Sequence, residues 1–118
     1  MPIGMKRSPM GCKRGEIRLA NLNPPRHCIV LQSDLLNEAD HPSTTVIPLT
    51  TRLVGDAAPL RFRVAQRSNL NADADAMIDQ VRTIDNRRFA GDPLAVMSAG
   101  EMAEIEEYLK IVLGLPFS

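Results

Sequence analysis

"GEIRLANLNPPRHCIVLQ", residues 15–32, is the stretch on which the reading of the chain turns. Ile17 and Leu19, with Arg18 between them, and then Leu22 suit a strand over 15–22. Asn23-Pro24-Pro25 stops it, because proline has no N–H to give a ladder. "CIVLQ" (28–32) is a short continuous apolar run, the pattern of a strand buried on both faces. Arg26 and His27 stand where the turn meets this second strand. Two polar side chains at a strand mouth either solvate the strand end or belong to a site.

Outward from this hairpin the β signal continues. "DLLNEADHPS" (34–43) reads as a loop or one helical turn, and the β-branched "TTVIPLTT" (44–51) as a strand. Pro48 inside it predicts an edge position or a bulge. "PLRFRVA" (59–65) alternates Leu60, Phe62 and Val64 inward with Arg61 and Arg63 outward. "AMIDQVRTI" (76–84) reads as a further strand interrupted by Asp79. The pattern then becomes helical. In "SAGEMAEIEEYLKIVLGLP" (98–116), Ser98 and Glu101 have capping-box spacing, and Met102, Ile105, Leu109 and Val112 recur on one face with Tyr108 beside them. Gly114 and Pro116 end it. Five or so short strands followed by one amphipathic helix predict a mainly β fold with α, a small, strongly bent sheet or partly open barrel with the helix packed on it.

Composition agrees with one core. At 118 residues and 44% apolar, the chain can bury roughly two-thirds of its unfolded surface without staples. We expect a basic arm over 1–12 and a single folded unit over 13–118. No apolar run approaches a membrane span, and "MPIGMKRSPMGCKRG" has no apolar segment of a secretory signal, so a cytoplasmic location is expected. Cys12 and Cys28 lack metal-ligand spacing, and reduced thiols are the expected state. Net charge is zero, which argues against a generic nucleic-acid binder. Its distribution is uneven, however. Residues 1–67 hold ten Lys/Arg and five Asp/Glu, residues 68–118 four and nine, so the two parts differ in sign. A basic half can hold an anion on one face.

No nucleophile elbow, phosphate-binding glycine loop or paired His/Cys metal motif occurs. A pair of His27 and His41 is a weak catalytic constellation, because His41 sits in a loop beside Pro42. The remaining candidates lie at strand ends: Arg26, Thr50 with Thr51, and Asp79-Gln80. Each taken singly fits strand solvation, β-propensity or internal hydrogen bonding.

Taken together and in order, "KRGEIRLANLNPP", "RHCIVLQSDLLN", "STTVIPLTT" and "DQVRTIDNRR" resemble the MazF/PemK family of type II toxin–antitoxin endoribonucleases. The terminal "LKIVLGLPF" is similar to that family's last helix, and the resemblance spans about residues 13–116. It implies an SH3-like barrel of the CcdB/PemK type and a homodimer. It also implies sequence-selective cleavage of single-stranded RNA, such as mRNA, to 2′,3′-cyclic phosphate and 5′-OH ends, without metal or cofactor. Arg26 is the expected clamp on the scissile phosphate, since a planar guanidinium offers forked donors, and Thr50 is the expected hydroxyl donor to the same group. His27 is a candidate base by residue type alone. RNA contacts are expected from Arg18, Arg52, Arg61, Arg63, Asp79 and Gln80. An acidic MazE-like antitoxin is the expected partner, drawn to the arginines by charge. With no Trp, and with Phe62 and Tyr108 expected to be buried, base reading should rely on hydrogen bonds rather than stacking.

The chain departs from the family pattern in three places. Arg26 follows Pro25 directly, leaving out about ten loop residues of a kind that is usually functional. His27 replaces a proline, and Met77 stands where some members have an arginine. Two rival readings follow. A CcdB-like gyrase-binding toxin shares the barrel but uses a tryptophan tail, whereas this chain ends "GLPFS". A shortened, inactive paralogue would only bind antitoxin.

Overall fold

The computed structural model describes residues 11–116. The opening stretch forms the expected hairpin. β1 (Glu16–Ala20) and β2 (Arg26–Val30) pair antiparallel from Ile17↔Ile29 to Ala20↔Arg26. Residues 21–25 alone close it, so the loop before Arg26 is short in this chain. β2 pairs in turn with β3 (Ser43–Thr50), after a one-turn helix α1 (Asp34–Glu38) whose cap Ser33 accepts from the Leu35 N–H.

On its other side β3 takes two partners. β4 (Arg61–Val64) pairs with β5 (Ala74–Met77), and β5 with Leu49–Thr50 of β3. β6 (Arg82–Asp85) runs along Ser43–Val46. The single strand expected over 76–84 is therefore two strands split by a 3-10 turn, Ile78–Gln80. Pro48 occupies neither an edge nor a bulge. It pairs with Cys28 on one side, and on the other it falls between Val46, the last partner of β6, and Leu49, the first partner of β5. A residue without an N–H fits that gap in the ladder.

β7 (Phe89–Val96), which the sequence reading did not anticipate, pairs with β1. The order is β4-β5-β3-β2-β1-β7, with β6 beside β3. Among the described residues the ends β4 and β7 are not paired, so the sheet stays open, in keeping with the expected bent sheet capped by a helix.

That helix is α2 (Ala99–Leu113). It begins in the expected capping box of Ser98 and Glu101 and ends at Gly114, whose φ of 70° needs a residue without Cβ. Met102, Ile105 and Leu109 bury against Ile17, Ile29, Ile47 and Ile78. Phe62 is buried, and half-buried Tyr108 meets its ring edge-on at 5.8 Å. The opposite strand face forms a second cluster from Cys12, Ala20, Cys28, Val30, Val46, Ile84 and Phe89. Alternate residues of "CIVLQ" thus enter different clusters, which is why the run is continuously apolar. Each fully buried isoleucine contributes roughly 1.5–3 kcal/mol. Of the arm expected over 1–12, all but Gly11 and Cys12 lie outside the described residues; Cys12 is buried.

Candidate functional site

Continuing the Cys28↔Pro48 register by two residues sets Arg26 opposite Thr50. Both therefore project from the same face at one end of the hairpin. Arg26 donates from an η nitrogen to the Leu49 carbonyl at 3.4 Å, which draws the guanidinium across the strand end toward Thr50. The Thr50 hydroxyl oxygen accepts the Arg52 N–H at 3.2 Å. That contact uses an oxygen lone pair and leaves the hydroxyl hydrogen to donate elsewhere.

Arg26, His27, Thr50 and Thr51 line a cleft of about 460 Å³ together with Leu19 and Pro25. The structure thus brings the two expected phosphate residues and the candidate base to one place. The lining continues through Asn69, Leu70 and Asn71 of the β4–β5 connection and through Leu94 of β7. The sequence reading missed these last residues. The two asparagines, flanking an apolar residue between two strands, were the available signal. Cys28, two residues along β2, is no nucleophile. Burial pushes its thiol up to about 11 despite the opposing charges of Arg82 and Arg26.

Of the expected RNA contacts, Arg18 requires correction, and Arg52, Arg61, Arg63, Asp79 and Gln80 lie outside the cleft lining. Arg18 is 3% exposed. Between Ile17 and Leu19 of β1 the pairing with β7 jumps from Ala95 to Ala90, so Gly91–Leu94 bulge outward. The Arg18 guanidinium fills this region. It donates to the Gly91 and Gly11 carbonyls and to Glu16, and lies 5.8 Å from the centre of the Phe89 ring. It is a structural plug and is sealed from any groove.

Arg61 and Arg63 do point outward, but both are tied to Asp75, which is 1% exposed. Arg63 Nε sits 2.6 Å from one carboxylate oxygen and Arg61 3.5 Å from the other. The Val54 N–H, at 2.8 Å, adds a third donor. Burial works to raise the Asp75 carboxyl, yet the Arg63 and Val54 hydrogen bonds and the two charges outweigh it and hold it below the ordinary value. Asp75 is the strand partner of Thr50, so this buried carboxylate fixes the corner that carries the hydroxyl. The arginines neutralise it while staying partly exposed, 25% and 46%, so they are pinned to this corner rather than free to move. Asp79 and Gln80 are exposed on the 3-10 turn and do not line the cleft. Arg52 is exposed directly after Thr51, and its carbonyl accepts from Arg61 at 3.4 Å. Asp85 pairs with Arg87.

His41 stays apart from the cleft, in the turn where its carbonyl accepts from Asn86. Among the described residues no three His, Cys, Asp or Glu side chains gather as they would around a metal ion. No helix among them is long and apolar enough to cross a membrane.

Residues 13–113 match the family model described as PemK-like, MazF-like toxin of type II toxin–antitoxin system. A Bacillus subtilis protein named endoribonuclease EndoA is 28% identical over 112 residues, covering 87% of this chain and 95% of that one. A Mycobacterium tuberculosis protein named endoribonuclease MazF9 is 30% identical over 118 residues, covering 87% and 97%. Among solved structures, the M. tuberculosis toxin MazF-mt6 superimposes with a TM-score of 0.76 at 22% identity, over 86% of this chain and 99% of that chain. A MazE-MazF structure from Deinococcus radiodurans gives 0.71 at 22% identity, over 89% and 98%. These likenesses bear out the expected fold, a mainly antiparallel sheet with a C-terminal helix.

Proposed function

Because the chain belongs to the PemK-like, MazF-like toxins of type II toxin–antitoxin systems, we propose that its Arg26–Thr50 cleft cleaves single-stranded RNA. The observation that carries this reading is the placement of a guanidinium and a hydroxyl across one strand pair, both lining a single cleft. The names of the relatives from B. subtilis and M. tuberculosis point to the same activity.

The chemistry needs no outside reagent. The ribose 2′-oxygen attacks the adjacent phosphorus and loses its proton. The bond from phosphorus to the 5′ oxygen of the next nucleotide breaks, and that oxygen gains a proton. The products are a 2′,3′-cyclic phosphate and a 5′-OH end. Charge builds on the non-bridging oxygens as phosphorus becomes five-coordinate, and pre-placed donors stabilise it. Arg26 supplies forked N–H donors, and Thr50 supplies one O–H. His27, on the same lining, takes the 2′-OH proton.

Cleavage is selective for base sequence in this proposal. The toxin is a homodimer acting in the cytoplasm, where an acidic MazE-like antitoxin competes with RNA for the cleft. The cations available for that competition are Arg26 and Arg52 rather than the Asp75-bound arginines. A MazE-MazF structure among the structural neighbours supports such a partner.

The test is incubation of purified protein with mixed-sequence RNA in EDTA, followed by mapping of the ends. Internal cuts with 5′-OH ends, absent with Arg26→Ala, are expected. Intact RNA, or cuts that survive Arg26→Ala, would overturn the assignment.

A further inference from the structure

The connection between β4 and β5 is held more firmly than its exposure suggests. The Gln66 N–H donates to the Asp73 carboxylate at 2.9 Å, and Arg67 and Leu70 exchange backbone hydrogen bonds at 3.1 and 2.8 Å. The Asn69 N–H donates to the Leu94 carbonyl of the β7 bulge at 3.0 Å. Leu70 is buried in the main core. Arg67 forms a two-pronged pair with Glu101 of α2 at 2.6 and 2.7 Å. Ser68 adopts φ of 45°, a left-handed conformation at the turn.

This frame presents two exposed carboxamides, Asn69 and Asn71, on the lining of the cleft that holds Arg26 and Thr50. Asn37 and Asn86 spend their side chains on the fold, whereas Asn21 and Asn23, which make no side-chain hydrogen bond among the described residues, lie outside the cleft lining. Asn37 bonds the Gln32 carbonyl and Asp34, and Asn86 bonds the His41 carbonyl and Thr44. Among the described residues no intramolecular hydrogen bond engages the carboxamide of Asn69 or Asn71. A carboxamide sets a donor beside an acceptor, and the Watson–Crick edge of each nucleobase offers a matching pair.

We infer that Asn69 and Asn71 are specificity residues, hydrogen-bonding the edge of an unpaired base next to the phosphate held by Arg26 and Thr50. The inference rests on the ribonuclease reading above. Preorganisation favours it, because the loop is already fixed and ordering costs little on binding. Among the described residues no aromatic ring lines the cleft, which favours it too, since selectivity then falls to hydrogen bonds. Neither carboxamide has a part in the bonds made and broken, so their loss should change which bases are accepted more than how the phosphate is attacked.

The experiment cleaves a randomised single-stranded RNA pool with the parent, Asn69→Ala, Asn71→Ala, Asn71→Asp and Arg26→Ala, sequencing the ends. In the parent, one base should dominate at a position beside the cut. The alanine variants should keep cutting, with that preference reduced about tenfold to a hundredfold, the range of one lost base contact. Asn71→Asp removes the donors, keeps the shape and should shift the preference. Alanine variants that retain the parental base profile would overturn the inference while leaving the ribonuclease reading intact. A parent that leaves the pool uncut would overturn the ribonuclease reading itself.

Discussion

Glu101→Gln tests the ion pair that ties α2 to the β4–β5 connection. In the folded chain the Arg67 hydrogen bonds, against an opposing contribution from burial and with help from the Ser98 N–H, hold the Glu101 carboxyl at about 2 instead of 4.5. At roughly 1.4 kcal/mol per decade, ionisation favours the fold by about 3 kcal/mol. Both side chains are about a quarter exposed, and solvent screening trims the figure to about 2 kcal/mol. Glutamine keeps the shape, one acceptor for Arg67 and the capping-box bond, so the charge is lost together with the second prong from Arg67. The expected cost at pH 7 is about 2 kcal/mol, a fall in Tm of about 8 °C for a chain of this size. The sign follows from a carboxyl depressed by folding. Its stabilisation is complete above the unfolded pKa near 4.5 and is lost as pH falls toward about 2. Parent and variant should therefore converge between about pH 5 and pH 2. Urea unfolding at several pH values, with unchanged m, reads the gap directly. A variant within about 0.5 kcal/mol of the parent at pH 7, or a gap that persists at about pH 2.5, would refute the reasoning.

Four further outcomes are expected. Thr50→Val should lower cleavage by roughly ten- to a thousandfold, and Arg26→Lys should rescue Arg26→Ala poorly because a point charge lacks the fork. The Arg26/Thr50 double variant should lose less than the product of the single losses, and strictly multiplicative rates would count against a shared phosphate. Asp75→Asn should cost about 2 kcal/mol in urea unfolding at pH 7, less than a fully buried broken pair because Arg61 and Arg63 are partly solvated. That penalty should fade as pH drops below about 4, since the carboxyl is depressed in the fold, and a pH-independent penalty would remove the ionic account.

The hairpin, β3, β4 and α2 were legible because their apolar spacing is local. The capping box and Gly114 marked the helix ends to within a residue. β7 was not legible. Gly91, Asp92 and Pro93 break its alternation, and they do so because those residues bulge around Arg18. No local rule announces a bulge whose cause lies on another strand. The same remoteness hid the role of Arg18, which as a sequence is an outward residue of an alternating strand. Arg61 and Arg63 read as a free basic face because Asp75, more than ten residues away, is brought beside them only by strand pairing. Arg26 and Thr50 were readable through resemblance, whereas Asn69 and Asn71 entered the site only with the tertiary fold.

The β1–β7 pairing also sets an order in time. Glu16 meets Val96, so an edge made early stays unsatisfied until the chain is nearly complete. At about 5–20 residues per second of synthesis, Arg26 emerges several seconds before Leu94, whose carbonyl anchors Asn69 and whose side chain lines the cleft. A nascent chain therefore carries Arg26 and Thr50 well before it owns a finished cleft. On the proposed reading of the cleft, the late strand delays the arming of the toxin, and that interval is open to whatever binds the unfinished edge.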